Sequence, residues 1–118
     1  MWRSVGEWKG RIVRSYETVK KMRKLKVPNK LKIGLYEYNV VWQKEVKLNK
    51  LHLWGLCDRD EHIIYLTKGM DEVRLREVLL HECLHAIEDS YSLTFKEQEV
   101  EKLGMALAAL IIDNKLKI

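Results

Sequence analysis

Proline occurs once in the 118 residues, at Pro28, and cysteine twice, at Cys57 and Cys83. Two thiols make no disulfide framework, so folding has to rest on packing. No apolar run approaches the roughly 20 residues of a membrane span. The N-terminus, Met-Trp-Arg-Ser-Val-Gly-Glu-Trp-Lys, lacks the apolar stretch of a secretory signal. The expectation is a cytoplasmic chain with no membrane partner. Internal repeats and low-complexity segments are also missing. What remains, 47% hydrophobic and 33% charged residues, is the balance of a globular protein, and the length fits one domain over 1–118.

Charge is unevenly spread. Residues 1–50 carry 14 Lys and Arg against 4 Glu, whereas residues 51–118 carry 8 Lys and Arg against 13 Asp and Glu. In the basic front, Val5, Trp8, Ile12, Tyr16 and Val19 recur at three- or four-residue steps, with Lys9, Arg11, Arg14, Lys20, Lys21, Arg23 and Lys24 mostly between them. This pattern predicts a basic amphipathic helix over residues 1–26. Its plain meaning is a solvated face; the alternative is contact with nucleic acid through Lys20, Lys21, Arg23 and Lys24.

Pro28-Asn29 ends that pattern. Lys30 to Leu35 and Tyr38 to Gln43 are rich in β-branched and aromatic residues and predict two strands joined at Tyr36-Glu37. Lys44 to Asn49 reads as a polar connection. Leu51 to Cys57 and Glu61 to Thr67 predict a second strand pair turned at Cys57-Asp58-Arg59-Asp60. His52 and His62 fall in these strands without a partner at metal-ligand spacing and are read as structural.

From Asp71 to Asp89 the period changes. Leu75, Val78, Leu79 and Ala86 recur at helical spacing, no Pro or Gly intervenes, and Asp71 is placed to cap the first turn. This helix carries His81-Glu82-Cys83-Leu84-His85. Four residues advance a helix by about 400°, so His81 and His85 stand one turn apart on nearly the same face and can reach one metal ion. Glu82, about 100° round, is offset to hold a water and serve as general base in zinc-dependent hydrolysis. By chance alone His-Glu-x-x-His arises in roughly one chain in a hundred of this composition, and the helical setting lowers that further. Cys83, about 200° from His81, faces away from such a metal and reads as a core residue.

A polar turn at Ser90 to Thr94 leads to a second helix from Lys96 to Asp113, antiparallel to the first. Gly104 and Ala108 let the two axes approach. Zinc with two histidines, one carboxylate and an open position is a catalytic arrangement, so a glutamate of the second helix is the natural third ligand. If both helices run straight, Glu101 matches the histidines in height better than Glu97, at about 1.5 Å per residue. An early end to the first helix or a steep crossing favours Glu97. Asp89 stands about 12 Å along the axis from His81, too far to share its metal, and Glu99 points well round from Glu97.

These segments resemble a family of small zincin-like metallopeptidases encoded in phages and prophages, distantly similar to the ImmA/IrrE and SprT-like groups. The resemblance covers about residues 27–114. It shows in Val27 to Val40, in Gly55-Leu-Cys-Asp58 leading into Ile63 to Leu66, in Leu79 to Asp89, and in Ile111 to Asn114. The family pattern Tyr-Gly-Leu-x-Leu-Thr-Glu-x-x-Val places its Glu at Glu97, with Ser92 where Gly is usual and Lys96 where Ser or Thr is usual. The resemblance thus implies His81, His85 and Glu97 as ligands of Zn2+, Glu82 as the catalytic base, and a peptide or protein as substrate. It also implies an α+β zincin-like fold in which a strand, Glu61 to Thr67 or Leu51 to Cys57, borders the cleft. Tyr91 and His62 are the candidates for oxyanion stabilisation. The alternative function is a nucleic-acid or protein-binding module that keeps its metal for structure.

Overall fold

The computed structural model describes residues 22–116, and the basic helix expected over 1–26 lies almost wholly outside them. Of that expected helix, residues 22–26 are described and are not helical. They are held instead by the start of the long helix. The Leu25 N–H donates to Glu72 Oε1 at 2.7 Å, and Arg76 Nη2 donates to the Arg23 carbonyl at 3.1 Å.

The architecture is α+β. Strands β1 (Lys30–Ile33), β2 (Tyr36–Gln43), β5 (Gly55–Asp58) and β6 (Ile63–Thr67) form one sheet in the order β1-β2-β6-β5. Pairing is antiparallel for β1 with β2 and for β5 with β6, and parallel for β2 with β6. Strands β3 (Val46–Leu48) and β4 (Leu51–Leu53) make a separate antiparallel hairpin. Helices α1 (Glu72–Tyr91) and α2 (Glu97–Asp113) follow; α1 packs on the sheet and α2 chiefly on α1.

Alternation decides which sheet face is covered. Tyr38 and Val40 of β2, Ile64 and Leu66 of β6 and Cys57 of β5 point inward and pack with Leu75, Val78 and Ala86 of α1. Each such aliphatic side chain contributes roughly 1.5–3 kcal/mol on burial, so this seam anchors α1 against the sheet. The helix starts at Asp71, whose carboxylate accepts from the Arg74 N–H at 2.8 Å.

Four boundaries differ from the sequence expectation, the first being that β6 begins at Ile63, not Glu61, so that His62 lies in the preceding turn with φ 56°. The β1/β2 turn is Gly34-Leu35, and Tyr36-Glu37 belong to β2. Gly34 has φ +62°, and a Cβ there would overlap the Ser90 side chain, whose hydroxyl donates to the Ile33 carbonyl at 3.1 Å. The connection expected at Lys44 to Asn49 contains β3, because Val46 is buried opposite Leu53. The strand expected over Leu51 to Cys57 divides at Trp54, the first part pairing with β3 and the second with β6. Strand β6 is interior; β5 is the sheet edge beside α1.

Candidate metal centre

Helix α1 turns its His81 and His85 rings toward the first turn of α2. His81 Nε2 lies 2.8 Å from Glu97 Oε1, His85 Nε2 lies 3.2 Å from Glu97 Oε2, and the two Nε2 atoms are 3.3 Å apart. Among the described residues these three side chains form a group whose donor atoms all fall within 4.8 Å, close enough to hold a metal ion. Both histidines are buried, and Glu97 is half-buried at the rim.

The helix pair is brought this close by small residues. A Cβ added at Gly104 would sit 3.5 Å from the Glu77 carbonyl oxygen and from the His81 nitrogen, so the α2 backbone runs directly against α1 at the level of the motif. Ala108, one turn on, is fully buried. At the other end, α1 stops at Tyr91 because Ser92 takes a left-handed conformation, φ 54° and ψ 39°, with its N–H directed to the Glu88 carbonyl. Five residues later, at Glu97, α2 begins, its entry fixed by the Lys96 N–H donating to Glu99 Oε1 at 2.8 Å. Glu99 therefore serves the helix start. Glu101 is half-buried and lies outside the three-residue group, and Asp89 is exposed near the end of α1.

Glu88 completes the arrangement and was not among the residues singled out from sequence. Its Oε1 lies 2.9 Å from His85 Nδ1, and its Oε2 accepts from the Phe95 N–H at 2.9 Å. A carboxylate beside Nδ1 orients the ring with Nε2 toward His81 and Glu97 and, in the neutral imidazole, favours the proton on Nδ1. The spacing was a usable signal, since Glu88 follows His85 by three residues and shares its helix face.

Glu82 points elsewhere, toward the sheet edge. It is 1% exposed, and a Cβ at Gly55 would come within 3.1 Å of its Cγ and its Oε2. Only glycine at position 55 leaves room for this carboxyl group. Burial raises the Glu82 pKa well above the ordinary carboxylate value, and the charge of Glu97 adds to this; a hydrogen bond from the Cys57 backbone offsets part of it. For Glu97 burial works the same way, but hydrogen bonds from His81 and His85 and their charge outweigh it and hold the carboxyl at about 2. The two glutamates thus sit in opposite electrostatic settings, Glu82 on α1 toward the sheet edge and Glu97 reaching the histidines of α1 from α2.

Both thiols are inert in this environment. Burial, followed by the nearby Glu82, pushes Cys83 up to about 12, and burial also raises Cys57. Cys83 packs with Leu79 and Ile87 against the core, as its helix position predicts. His62 is stacked on Tyr36 with ring centroids 4.2 Å apart and meets Tyr38 edge-on, while Tyr91 is exposed beside the Gly34 turn. Neither belongs to the three-residue group. His52 lies on β4 with its ring 6.2 Å from Trp54.

No helix among the described residues is long and apolar enough to cross a membrane. Comparisons with protein-family models, with curated proteins and with solved structures find no match to this chain.

Proposed function

We propose that this protein is a zinc-dependent metallopeptidase with a zincin-like fold, of the kind its sequence resembles in phages and prophages. The observation that carries the reading is the convergence of His81, His85 and Glu97 from two helices, with Glu82 on the adjoining helix face. The donor spacing fits the ion. Four ligands at 2.0–2.1 Å in a tetrahedron are about 3.3 Å from one another. The Nε2 to Nε2 separation is 3.3 Å, and each Nε2 has a different Glu97 oxygen close by, Oε1 at 2.8 Å from His81 and Oε2 at 3.2 Å from His85; one donor atom from each residue lies within 4.8 Å of the others. Two neutral imidazoles and one carboxylate are also the donor set of a catalytic zinc with a position left open.

When bound, zinc supplies Lewis acidity, acidifying water and polarising the scissile carbonyl. The chain supplies the rest. Glu82, as the carboxylate, accepts the proton of the attacking water as the water oxygen bonds to the carbonyl carbon. It then delivers that proton to the amine nitrogen as the C–N bond breaks. Glu88 keeps His85 in the tautomer that leaves Nε2 free to coordinate.

Strand β5 supports a peptide substrate. The Trp54 carbonyl accepts from the Thr67 N–H at 2.9 Å, which sets the backbone groups of Trp54, Leu56 and Asp58 toward β6. Those of Gly55 and Cys57 then point outward along the edge; the Cys57 N–H is engaged by Glu82, which leaves the Gly55 groups and the Cys57 carbonyl to pair with an extended peptide.

The test compares the native chain with Glu82→Gln for zinc content and for cleavage of an unbiased peptide library. We expect near-stoichiometric zinc in both and cleavage only by the native chain, because the amide keeps the shape and cannot take the proton. A protein purified without chelators that stays metal-free after zinc addition removes the metal reading. Zinc in both and cleavage by neither favours the binding-module alternative.

A further inference from the structure

Helix α1 carries Arg74 on the face that carries the two histidines. Seven residues turn a helix by about 700°, so Arg74 stands within about 20° of His81 and about 10.5 Å from it along the axis, toward the helix start. Val78 and Glu82, which meet β5 at Gly55, lie about 60° and 100° from His81 on the same side. Arg74 thus projects between the direction of the histidines and that of the sheet edge.

An aromatic ring, not a carboxylate, holds the guanidinium there. Arg74 Cζ lies 5.0 Å from the centroid of the Trp54 ring. Trp54 is the residue between β4 and β5, next to Gly55, and it packs against the core. Among the described residues no carboxylate pairs with the Arg74 side chain. The neighbouring acids are engaged elsewhere: Asp71 caps α1 through the Arg74 backbone N–H, and Glu72 accepts from the Leu25 N–H and from Arg76. Arg74 is half-buried. A planar guanidinium fixed beside a ring loses little freedom on binding, and its fork of N–H donors matches a carboxylate.

The other end of β5 has the opposite character. Asp58, Asp60 and Glu61 gather there around Arg59, with Asp58 Oδ1 accepting from the Asp60 and Glu61 N–H groups at 3.1 and 3.0 Å. An acidic side chain lying at that end meets like charge; at the Trp54 end it meets Arg74. The edge therefore distinguishes the two directions of a peptide. An antiparallel strand, the more stable pairing per residue, runs against β5 and brings its carboxyl-terminal side to Trp54. At about 3.4 Å per residue, the axial distance from His81 to Arg74 corresponds to about three residues of extended chain.

Resting on the metallopeptidase reading above, we propose that Arg74, seated on Trp54, determines substrate specificity by binding a carboxylate about three residues beyond the cleaved bond on its carboxyl-terminal side. The carboxylate belongs to an Asp or Glu side chain or to a chain end at that position.

The test follows cleavage of the unbiased peptide library by the native chain, Arg74→Gln and Arg74→Lys. In parallel, retention of the same library is measured on zinc-loaded Glu82→Gln, with and without Arg74→Gln. We expect the native chain to favour Asp and Glu at that position by about five- to tenfold over Asn and Gln. Arg74→Gln should cut the library without that preference, and Arg74→Lys should keep part of it, having the charge without the fork. Amidating the peptide ends separates the two sources: a preference lost on amidation belongs to the chain end, one that persists to the side chain. Cleavage by the native chain with no acidic preference, or a preference that survives in Arg74→Gln, overturns the proposal. Retention keeps the two readings distinct. If the native chain cleaves nothing, the peptidase reading fails, yet selective retention of acidic peptides that Arg74→Gln abolishes still assigns the carboxylate site to Arg74. Retention that is absent or indifferent to acidic residues overturns that assignment.

Discussion

Replacing Glu88 by glutamine separates two roles that a single carboxylate performs. Glu88 is 7% exposed and bridges His85 Nδ1 and the Phe95 N–H, each at 2.9 Å. A carboxylate accepts both protons; an amide has one acceptor oxygen and an NH2 group that cannot accept. If the glutamine oxygen stays with Phe95, its NH2 confronts Nδ1. The imidazole must then present its lone pair there and carry its proton on Nε2, the atom facing His81 and Glu97. If the oxygen turns to His85 instead, the Phe95 N–H meets a donor, and the approach to α2 and Glu97 loses a buried bond.

Both outcomes weaken the metal site. Loss of such an outer partner costs about 10–100-fold in affinity, or about 1.4–2.7 kcal/mol. We expect Glu88→Gln to bind zinc 10–100-fold more weakly in a competition titration with a chromophoric chelator at neutral pH. Glu88→Ala lacks the opposing NH2, and water can enter to accept from Nδ1. Its zinc affinity should therefore be no worse than that of Glu88→Gln, while its thermal stability falls further through the lost side chain. Zinc binding by Glu88→Gln within about twofold of the native chain would refute the argument that Glu88 sets the His85 tautomer.

Four further outcomes follow from the same geometry. Glu97→Ala should weaken zinc binding at least about tenfold, and Glu101→Ala less, in the same titration. In the metal-free chain, Glu82 has a folded pKa raised above its ordinary 4.5. The folded state thus binds more protons than the unfolded state above that pH, and Glu82 reduces stability as pH rises. Glu82→Gln, with chelator present, should have an unchanged urea midpoint near pH 4 and a higher one near pH 8; a fixed difference at both would contradict a titrating Glu82. Ser92, at φ 54°, occupies a position that glycine adopts without strain, so Ser92→Gly should raise the midpoint of unfolding, by about 1 kcal/mol in stability. Gly55→Ala would set a Cβ 2.7 Å from Val78 Cγ1; we expect a loss of about 1–3 kcal/mol by denaturant titration, with zinc content retained.

The helices α1 and α2 and the Asp71 cap were legible in the sequence, and strand boundaries were less so; the helix expected over 1–26 lies almost wholly outside the described residues and is not continued at 22–26. Helix α1 is long, continuous in period and capped by Asp71, so local chemistry alone defines its start. The division at Trp54 could not be read locally. Leu51 to Cys57 alternates as one strand would, and the break exists because Val46 is buried against Leu53 while Gly55 must lie beside Glu82. The Gly34 turn was similarly hidden: its position is fixed by a contact with Ser90, 56 residues away in the chain. Strand partners are set by tertiary packing, which local alternation does not encode.

Height along the helix axes favoured Glu101 over Glu97, yet Glu97 is the glutamate that meets both histidines. The decisive quantity is angle. Gly104 marks the direction from α2 to α1, because its backbone lies against His81. Seven residues back, Glu97 is displaced from that direction by only about 20°, whereas Glu101, three residues back, is displaced by about 60°. Glu97 therefore aims at the neighbouring helix, and its side chain covers the axial offset. Glu101 turns toward the sheet side, past the line of contact, and the close approach at Gly104 leaves the helices no freedom to rotate it back. The same small residue that brings the helices together thus selects which glutamate reaches the histidines.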